Sequence, residues 1–336
     1  MTTLERSLWH PVALGHALGA APQPVLLLGE ELVLWRDASG TAHAWADQCP
    51  HRGARLSLGR LAADGQALEC PYHGWQFGAG GQCTHIPAVP DFQPGPRHCA
   101  RGFEAREAYG MVWVRLAPPA GAPDPLHDFP LFTAEAEPRL RKTTSGPYQV
   151  AASAPRIIEN FLDMAHFGYV HEGWLGSRAH TQVPPYEVAA TPHGLRATGC
   201  LAWQPRSSIH AEAGAQVEYS YEVTAPYMAV LTKQPEAGTT AIAGLWESIA
   251  MFVCPAGEEH SVVWTRMAMN DFDSPDARLI EFQNTIFGQD QPVLESQRPK
   301  RLPLALDAEA HCAADRLSTA YRRHLRQIGI RFGVIA

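Results

Sequence analysis

The chain has 336 residues, 46% of them apolar and 18% charged, which marks a folded protein long enough for two cores of ordinary size. Its formal charge is −7 and it contains no basic block, so neither a nucleic-acid surface nor an anionic-membrane surface has electrostatic support. The apolar run PVLLLGEELVLW (24–35) holds two glutamates and falls short of the roughly 20 apolar residues that cross a bilayer. The N-terminus lacks the basic start and apolar core of an export signal. The seven cysteines therefore read as reduced thiols or ligands in a cytoplasmic protein.

In chain order, residues 1–117 read as short strands divided by turn residues, among them VLLL, ELVLWRD, AHAWAD and YGMVWVRL. The stretch APPAGAPDPLHDFP (117–130) carries five prolines in fourteen residues, a stiff connector. It predicts one domain over 1–117, a linker over 118–130 and a second domain over 131–336. SAPRIIENFLDMAHFGYV (153–170) opens with a Ser cap and an early Pro, as a helix does. LRATGCLAW, QVEYSYEV, TAIAGLWESIAMFV and SVVWTRMAM then alternate in the manner of an antiparallel meander. Two helical patterns follow, at 279–297 and 316–328. In the second, Leu317, Tyr321, Leu325 and Ile328 share a face, and four arginines are expected in solvent.

Two short devices carry chemistry in the first half. Cys49-Pro50-His51 and Cys70-Pro71-Tyr72-His73 each set a sulfur beside an imidazole on a turn stiffened by Pro, with Gly53 and Gly74 allowing close backbone approach. This donor set suits a Cys2His2 zinc ion, and equally a 2Fe-2S cluster with two histidines on one iron. Spacing alone does not separate the two.

The predicted helix at 153–170 is apolar on nearly every side, yet Asn160, Asp163 and His166 form one polar stripe at spacings of three. Buried polar groups are costly unless paired or bound to a metal. His171 follows His166 by five residues, about 140° away on an ideal helix at roughly 100° per residue. The two converge on one ion only if the helix bends or ends near Gly168. Two histidines and a carboxylate make the facial triad of non-haem Fe(II) sites. Asp290 on the late helix is the candidate carboxylate, with Glu295 in reserve; Glu172 points away if His171 binds. The plain alternative for Asp290 is an ordinary exposed residue.

CPHRG and CPYHGW resemble the C-x-H…C-x-x-H motif of Rieske domains, and ENFLDMAHFGYVH resembles the N-x-x-D-x-x-H-x-x-x-x-H motif of Rieske non-haem iron oxygenases. The resemblance covers nearly the whole chain and is strongest, in compact length and the SLWHPVA opening, to the vanillate demethylase, dicamba monooxygenase and toluenesulfonate methyl-monooxygenase branch of α subunits. It implies an α+β fold: an all-β Rieske domain, then a helix-grip (START-like) catalytic domain whose curved antiparallel sheet wraps long helices.

The resemblance also implies a set of roles. Cys49, His51, Cys70 and His73 would hold a 2Fe-2S cluster, and His166, His171 and Asp290 the mononuclear Fe(II). Asp163 would link the two centres, bonded to His166 and to His73 of a neighbouring subunit in a head-to-tail homotrimer. Asn160 would support the iron. Phe282 and Ile286, two turns and one turn before Asp290, are pocket candidates, with core packing an equal alternative.

The expected activity is that of a terminal oxygenase that hydroxylates, or O- or N-demethylates, a small aromatic substrate with O2. No dinucleotide fingerprint is present, so electrons would come from a separate NAD(P)H-dependent reductase, with or without a ferredoxin. Two other classes stay open on the residues alone: a Rieske electron carrier without oxygenase activity, and a zinc-stabilised ligand-binding protein.

Overall fold

The structure, a computed structural model, describes residues 3–336. It divides into two units, Met1–Pro123 and Asp124–Ala336.

In the first unit, β1 (His10–Leu14), β2 (Gln23–Leu27), β3 (Glu30–Arg36) and β4 (Ala42–Ala46) precede a small sheet of β5 (Arg60–Leu61), β6 (Ala67–Glu69), β7 (Gln76–Gly78) and β8 (Cys83–His85). Then β9 (Gly102–Ala108) and β10 (Met111–Arg115) close the six-stranded sheet in the order β1-β10-β9-β4-β3-β2. The four strands read from sequence correspond to β2, β3, β4 and β10. Trp35 of β3, Trp45 of β4 and Phe77 of β7 pack in one core together with Cys49 and Cys70. The two sulfurs are thus planted in apolar surroundings, while the imidazoles two and three residues further on stand exposed.

The second unit is a seven-stranded antiparallel sheet with three α-helices, and a two-stranded parallel sheet of Leu302–Pro303 with Val334–Ile335. The seven strands are β11 (Arg141–Val150), β12 (Glu187–Ala190), β13 (Leu195–Gln204), β14 (Ala215–Ala225), β15 (Met228–Pro235), β16 (Glu247–Gly257) and β17 (His260–Met269). Their order, β11-β17-β16-β15-β14-β13-β12, is the expected meander with β11 brought back to its far edge. The expected strand over 240–253 begins only at Glu247, and β11 and β15 carry no alternation clean enough to have been read.

Three helices complete this unit: α1 (Ala154–Phe161) packs against β15 and β16, α2 (Asp276–Ser296) against β11, and α3 (Arg316–Ile328) against β12 and β13. α2 continues through Pro292, which has no N–H to give to the carbonyl of the residue four before it, Gly288.

Two expectations are corrected here. The single helix expected over 153–170 stops at Phe161, because Asp163 takes over the backbone donors that would extend it. Its carboxylate accepts the N–H groups of Ala165 at 2.9 Å and His166 at 3.3 Å. In α3, Arg322 is not in solvent but 2% exposed, held between Glu159 and Glu309. Arg156 is buried in the same network and joins α1 to Glu309.

Candidate functional site

The two Cys/His loops fold as copies of each other. Cys49 donates its N–H to Ala54 O at 2.8 Å and accepts from Gly53 N at 2.9 Å; Cys70 donates to Trp75 O at 2.8 Å and accepts from Gly74 N at 3.1 Å. Gly53 and Gly74 close these turns at φ of 73° and 69°, a left-handed conformation that glycine adopts without strain. His51 and His73 then meet with ring centroids 4.6 Å apart, and Trp75 stacks on His51 at 4.5 Å.

Burial, with the Cys70 sulfur beside it, pushes the Cys49 thiol up to about 11. A thiolate at this position therefore calls for a metal to stabilise it. Desolvation and the neighbouring His73 lower the pKa of His51, which favours the neutral, ligating imidazole. Among the described residues, these four donors form no trio of ligand atoms within 4.8 Å of one another. A single zinc ion needs that convergence; a two-iron cluster, whose ligands are shared between two ions, does not.

One trio in the second unit does converge. His166, His171 and Asp290 each offer an atom within 4.8 Å of the others. His166 Nε2 lies 3.2 Å from His171 Nε2 and 3.5 Å from Asp290 Oδ1, and His171 Nε2 lies 3.3 Å from the same oxygen. Donors about 2.1 Å from one ion stand at this spacing.

The tautomers follow from the outer partners. His166 Nδ1 faces Asp163 Oδ2 at 2.9 Å, and His171 Nδ1 faces Gln289 Oε1 at 2.8 Å. Each Nδ1 donates to an oxygen, so in the neutral imidazoles both Nε2 lone pairs and a carboxylate oxygen face one another. Mutual repulsion makes that arrangement unfavourable until a cation takes the middle. The fit to a divalent ion is therefore good. Early termination of α1 makes it possible: with the chain turning at Asp163 rather than continuing as helix to Gly168, His166 and His171 are freed from the 140° divergence.

Asp290 is 8% exposed, so it is not an ordinary surface residue, and Asn160 Nδ2 donates to its Oδ1 at 3.4 Å. Glu295 is elsewhere, accepting from Ala151 N and Gln291 Nε2, and Glu172 pairs with Arg178. Burial raises the Asp163 carboxyl, but the His166 ring and the N–H groups of Ala165 and His166 outweigh it, leaving the group below its ordinary value. Asp163 lies on the outer side of His166, in a depression it shares with Asn160 and Val170.

On its other side His166 borders an apolar cavity. Phe282 and Ile286 line it, with Phe161, Phe167, Phe287 and the methionines 251, 267 and 269. Tyr219 and Tyr221 also line it, whereas Trp203 and Trp264 do not. Sequence reasoning missed Gln289, which carried no signal beyond its place next to Asp290. It also missed the polar groups on the sheet side of the cavity, Lys233, Glu247, His210 and Asp271.

A family model of the Rieske [2Fe-2S] domain matches residues 8–96, and the vanillate O-demethylase oxygenase C-terminal domain matches residues 150–329. Methylxanthine N1-demethylase NdmA of Pseudomonas putida is 30% identical over 329 residues, covering 96% of this chain and 89% of its own. The structure of NdmA from Pseudomonas putida CBB5 with caffeine superposes with a TM-score of 0.81 at 30% identity, over 96% of this chain and 90% of that one. The oxidoreductase NdmD of Pseudomonas putida is 41% identical over 125 residues, which span 37% of this chain and 21% of NdmD.

Proposed function

The chain belongs to the Rieske non-haem iron oxygenases, as an oxygenase (α) subunit, and on that premise we propose that it is the terminal oxygenase that N-demethylates a small, neutral N-heteroaromatic substrate. The observation that carries the reading is the convergence of His166, His171 and Asp290 on the wall of an apolar cavity. Members of the family use a Rieske 2Fe-2S cluster and a mononuclear non-haem iron. Here Cys49, His51, Cys70 and His73 would hold the first, and His166, His171 and Asp290 the second. When bound, the two centres supply single electrons and reductive activation of O2 for insertion into a C–H bond.

The chain's own part is to bind, orient and exclude water. Asp163 and Gln289 fix the two imidazoles with Nε2 inward, and Asn160 steadies the Asp290 carboxylate. Phe282, Ile286 and the neighbouring aromatic and thioether side chains keep the cavity dry and hold a flat ring against the ligand trio. The overall change is an N-methyl group plus O2, two electrons and two protons giving an N-hydroxymethyl group and water. The hemiaminal then collapses, the ring nitrogen keeping the electron pair, to N–H and formaldehyde. The N-demethylases among the relatives favour this outcome over attack on an ether or a ring carbon.

Electrons would come from a separate NAD(P)H-dependent reductase, with or without a ferredoxin, in the cytoplasm. No described helix is long and apolar enough to cross a membrane. The position of Asp163 on the outer side of His166 supports its role as the link to the His73 of a neighbouring subunit, and with it a head-to-tail trimer. Light scattering tests the assembly against three copies of 36.7 kDa.

The function itself is tested by reconstituting the protein with iron, sulfide and a reductase. Substrate-dependent O2 uptake is followed across N-methylated purinediones, aromatic methyl ethers and aromatic acids, with formaldehyde measured. Uptake matched by formaldehyde with an N-methyl compound supports the reading. A colourless protein holding zinc, or one with no substrate-dependent uptake, overturns it.

A further inference from the structure

Strand register lays two rows of side chains along the sheet side of the cavity. One row runs Tyr221, Leu231, Ile249, Met267 across β14 to β17 and is apolar apart from a hydroxyl. The next runs Tyr219, Lys233, Glu247, Met269, and places an ion pair in the middle of an apolar wall. Lys233 is 5% exposed and its Nζ lies 2.8 Å from Glu247 Oε2. Removing two charges from water is costly, and their attraction returns that cost only with full hydrogen bonding.

Full hydrogen bonding is absent here. The ammonium has three N–H donors; one goes to Ser207 O at 2.8 Å and one points toward Glu247, so a third remains. The second donor engages Glu247 Oε2, while among the described residues the carboxylate's other oxygen has no hydrogen-bond partner, nor has the Tyr221 hydroxyl, fully buried in the adjoining row. The wall therefore offers a spare donor beside a spare acceptor, with a phenol one pleat away. That is the complement of a ring N–H flanked by carbonyls.

Charge bookkeeping narrows the ligand further. Outside the ligand trio, the acidic and basic cavity residues are Lys233, paired with Glu247, and His210, bonded to Asp271 at 2.6 Å with Ser274 alongside. No cation is left over for an anionic group, and a carboxylate brought here would face two carboxylates already present.

Deepening the function proposed above, and resting on it, we propose that Lys233 and Glu247 set substrate specificity. They read the donor–acceptor edge of a neutral lactam- or imide-bearing heteroaromatic ring, and they exclude aromatic carboxylates and sulfonates. The pair is a specificity element and takes no part in the oxidation.

The test is equilibrium binding to the iron- and cluster-loaded protein, kept oxidised and anaerobic so that nothing turns over. Theobromine serves as the neutral lactam probe and 4-methoxybenzoate as the anionic one. The parent protein should bind theobromine at least ten-fold more tightly. The shape-conserving pair of changes Lys233→Met with Glu247→Leu should weaken theobromine at least ten-fold while the visible cluster spectrum is unchanged. Glu247→Gln keeps the side-chain volume and leaves Lys233 without its counter-charge, so it should strengthen 4-methoxybenzoate at least ten-fold. Unchanged theobromine binding in the double variant, no gain of benzoate binding in Glu247→Gln, or a parent that does not bind theobromine or prefers the benzoate, each overturns the assignment. Because the readout is binding, a protein that consumes O2 with some other N-methyl compound would keep the proposed function while losing this specificity device.

Discussion

His171 and Gln289 lie 118 residues apart in sequence and meet at 2.8 Å, the imidazole Nδ1–H donating to the amide oxygen. That bond fixes which ring nitrogen faces the cavity. It also ties the turn after α1 to the middle of α2, one residue from Asp290. Metal affinity should therefore depend on Gln289 although it touches no ion. Gln289→Leu is expected to weaken iron binding roughly 10- to 100-fold, read by iron titration, with the cluster's visible spectrum unaltered. Gln289→Glu, which keeps an acceptor, should restore most of it.

Asp290 and Glu295 are five residues apart on α2, about 140° around the helix, and sit in different surroundings. Asp290→Ala should reduce iron from about three to about two atoms per chain while sparing the Rieske absorbance. Glu295→Ala should leave iron content alone. It should cost about 1 kcal/mol of stability through the lost bond to Ala151 N, read in chemical denaturation. Full mononuclear occupancy in the Asp290 variant would remove that residue from the ligand set.

Asp163 holds His166 from outside and ends α1 at the same time. Asp163→Asn keeps an oxygen for the backbone donors, so both metal sites should fill. Coupled turnover should nevertheless fall at least 100-fold, because the charged link proposed between the centres is lost. Turnover like the parent's, measured with the same reductase, would end the linking role.

The buried network Arg156–Glu159–Arg322–Glu309 ties α1 to α3 behind the iron site. Arg322→Met leaves two carboxylates to share one guanidinium and should cost about 3 kcal/mol.

Burial raises Glu309, but Arg156 and Arg322 more than reverse this and bring it down to about 2 from an ordinary 4.5. A depressed carboxyl contributes stability that is complete above its unfolded value and disappears as the pH falls through its folded one. The stability gap between the parent and Glu309→Gln should thus be constant above about pH 4.5 and close toward pH 2, as thermal melts would show. A gap that persists at pH 2 would mean the network is held by shape alone.

Sequence by itself showed the donor sets of both candidate metal centres and the order of the two units. Paired Cys/His turns, a polar stripe in an apolar segment and period-two alternation are local patterns, fixed by backbone geometry over a few residues. It also located α3, because an amphipathic face repeats within one element. It misjudged the helix carrying His166, since propensity over 153–170 was outweighed by one side chain, Asp163, competing for backbone donors.

Only the tertiary structure decided what meets what. The convergence of Asp290 on the two histidines, the hold of Gln289 on His171 and the burial of Arg322 all join distant segments. The row that sets Lys233 against Glu247 depends on strand register, which a one-residue slip would turn to the other face. Such pairings follow from how sheets and helices pack, and no short stretch of sequence carries them.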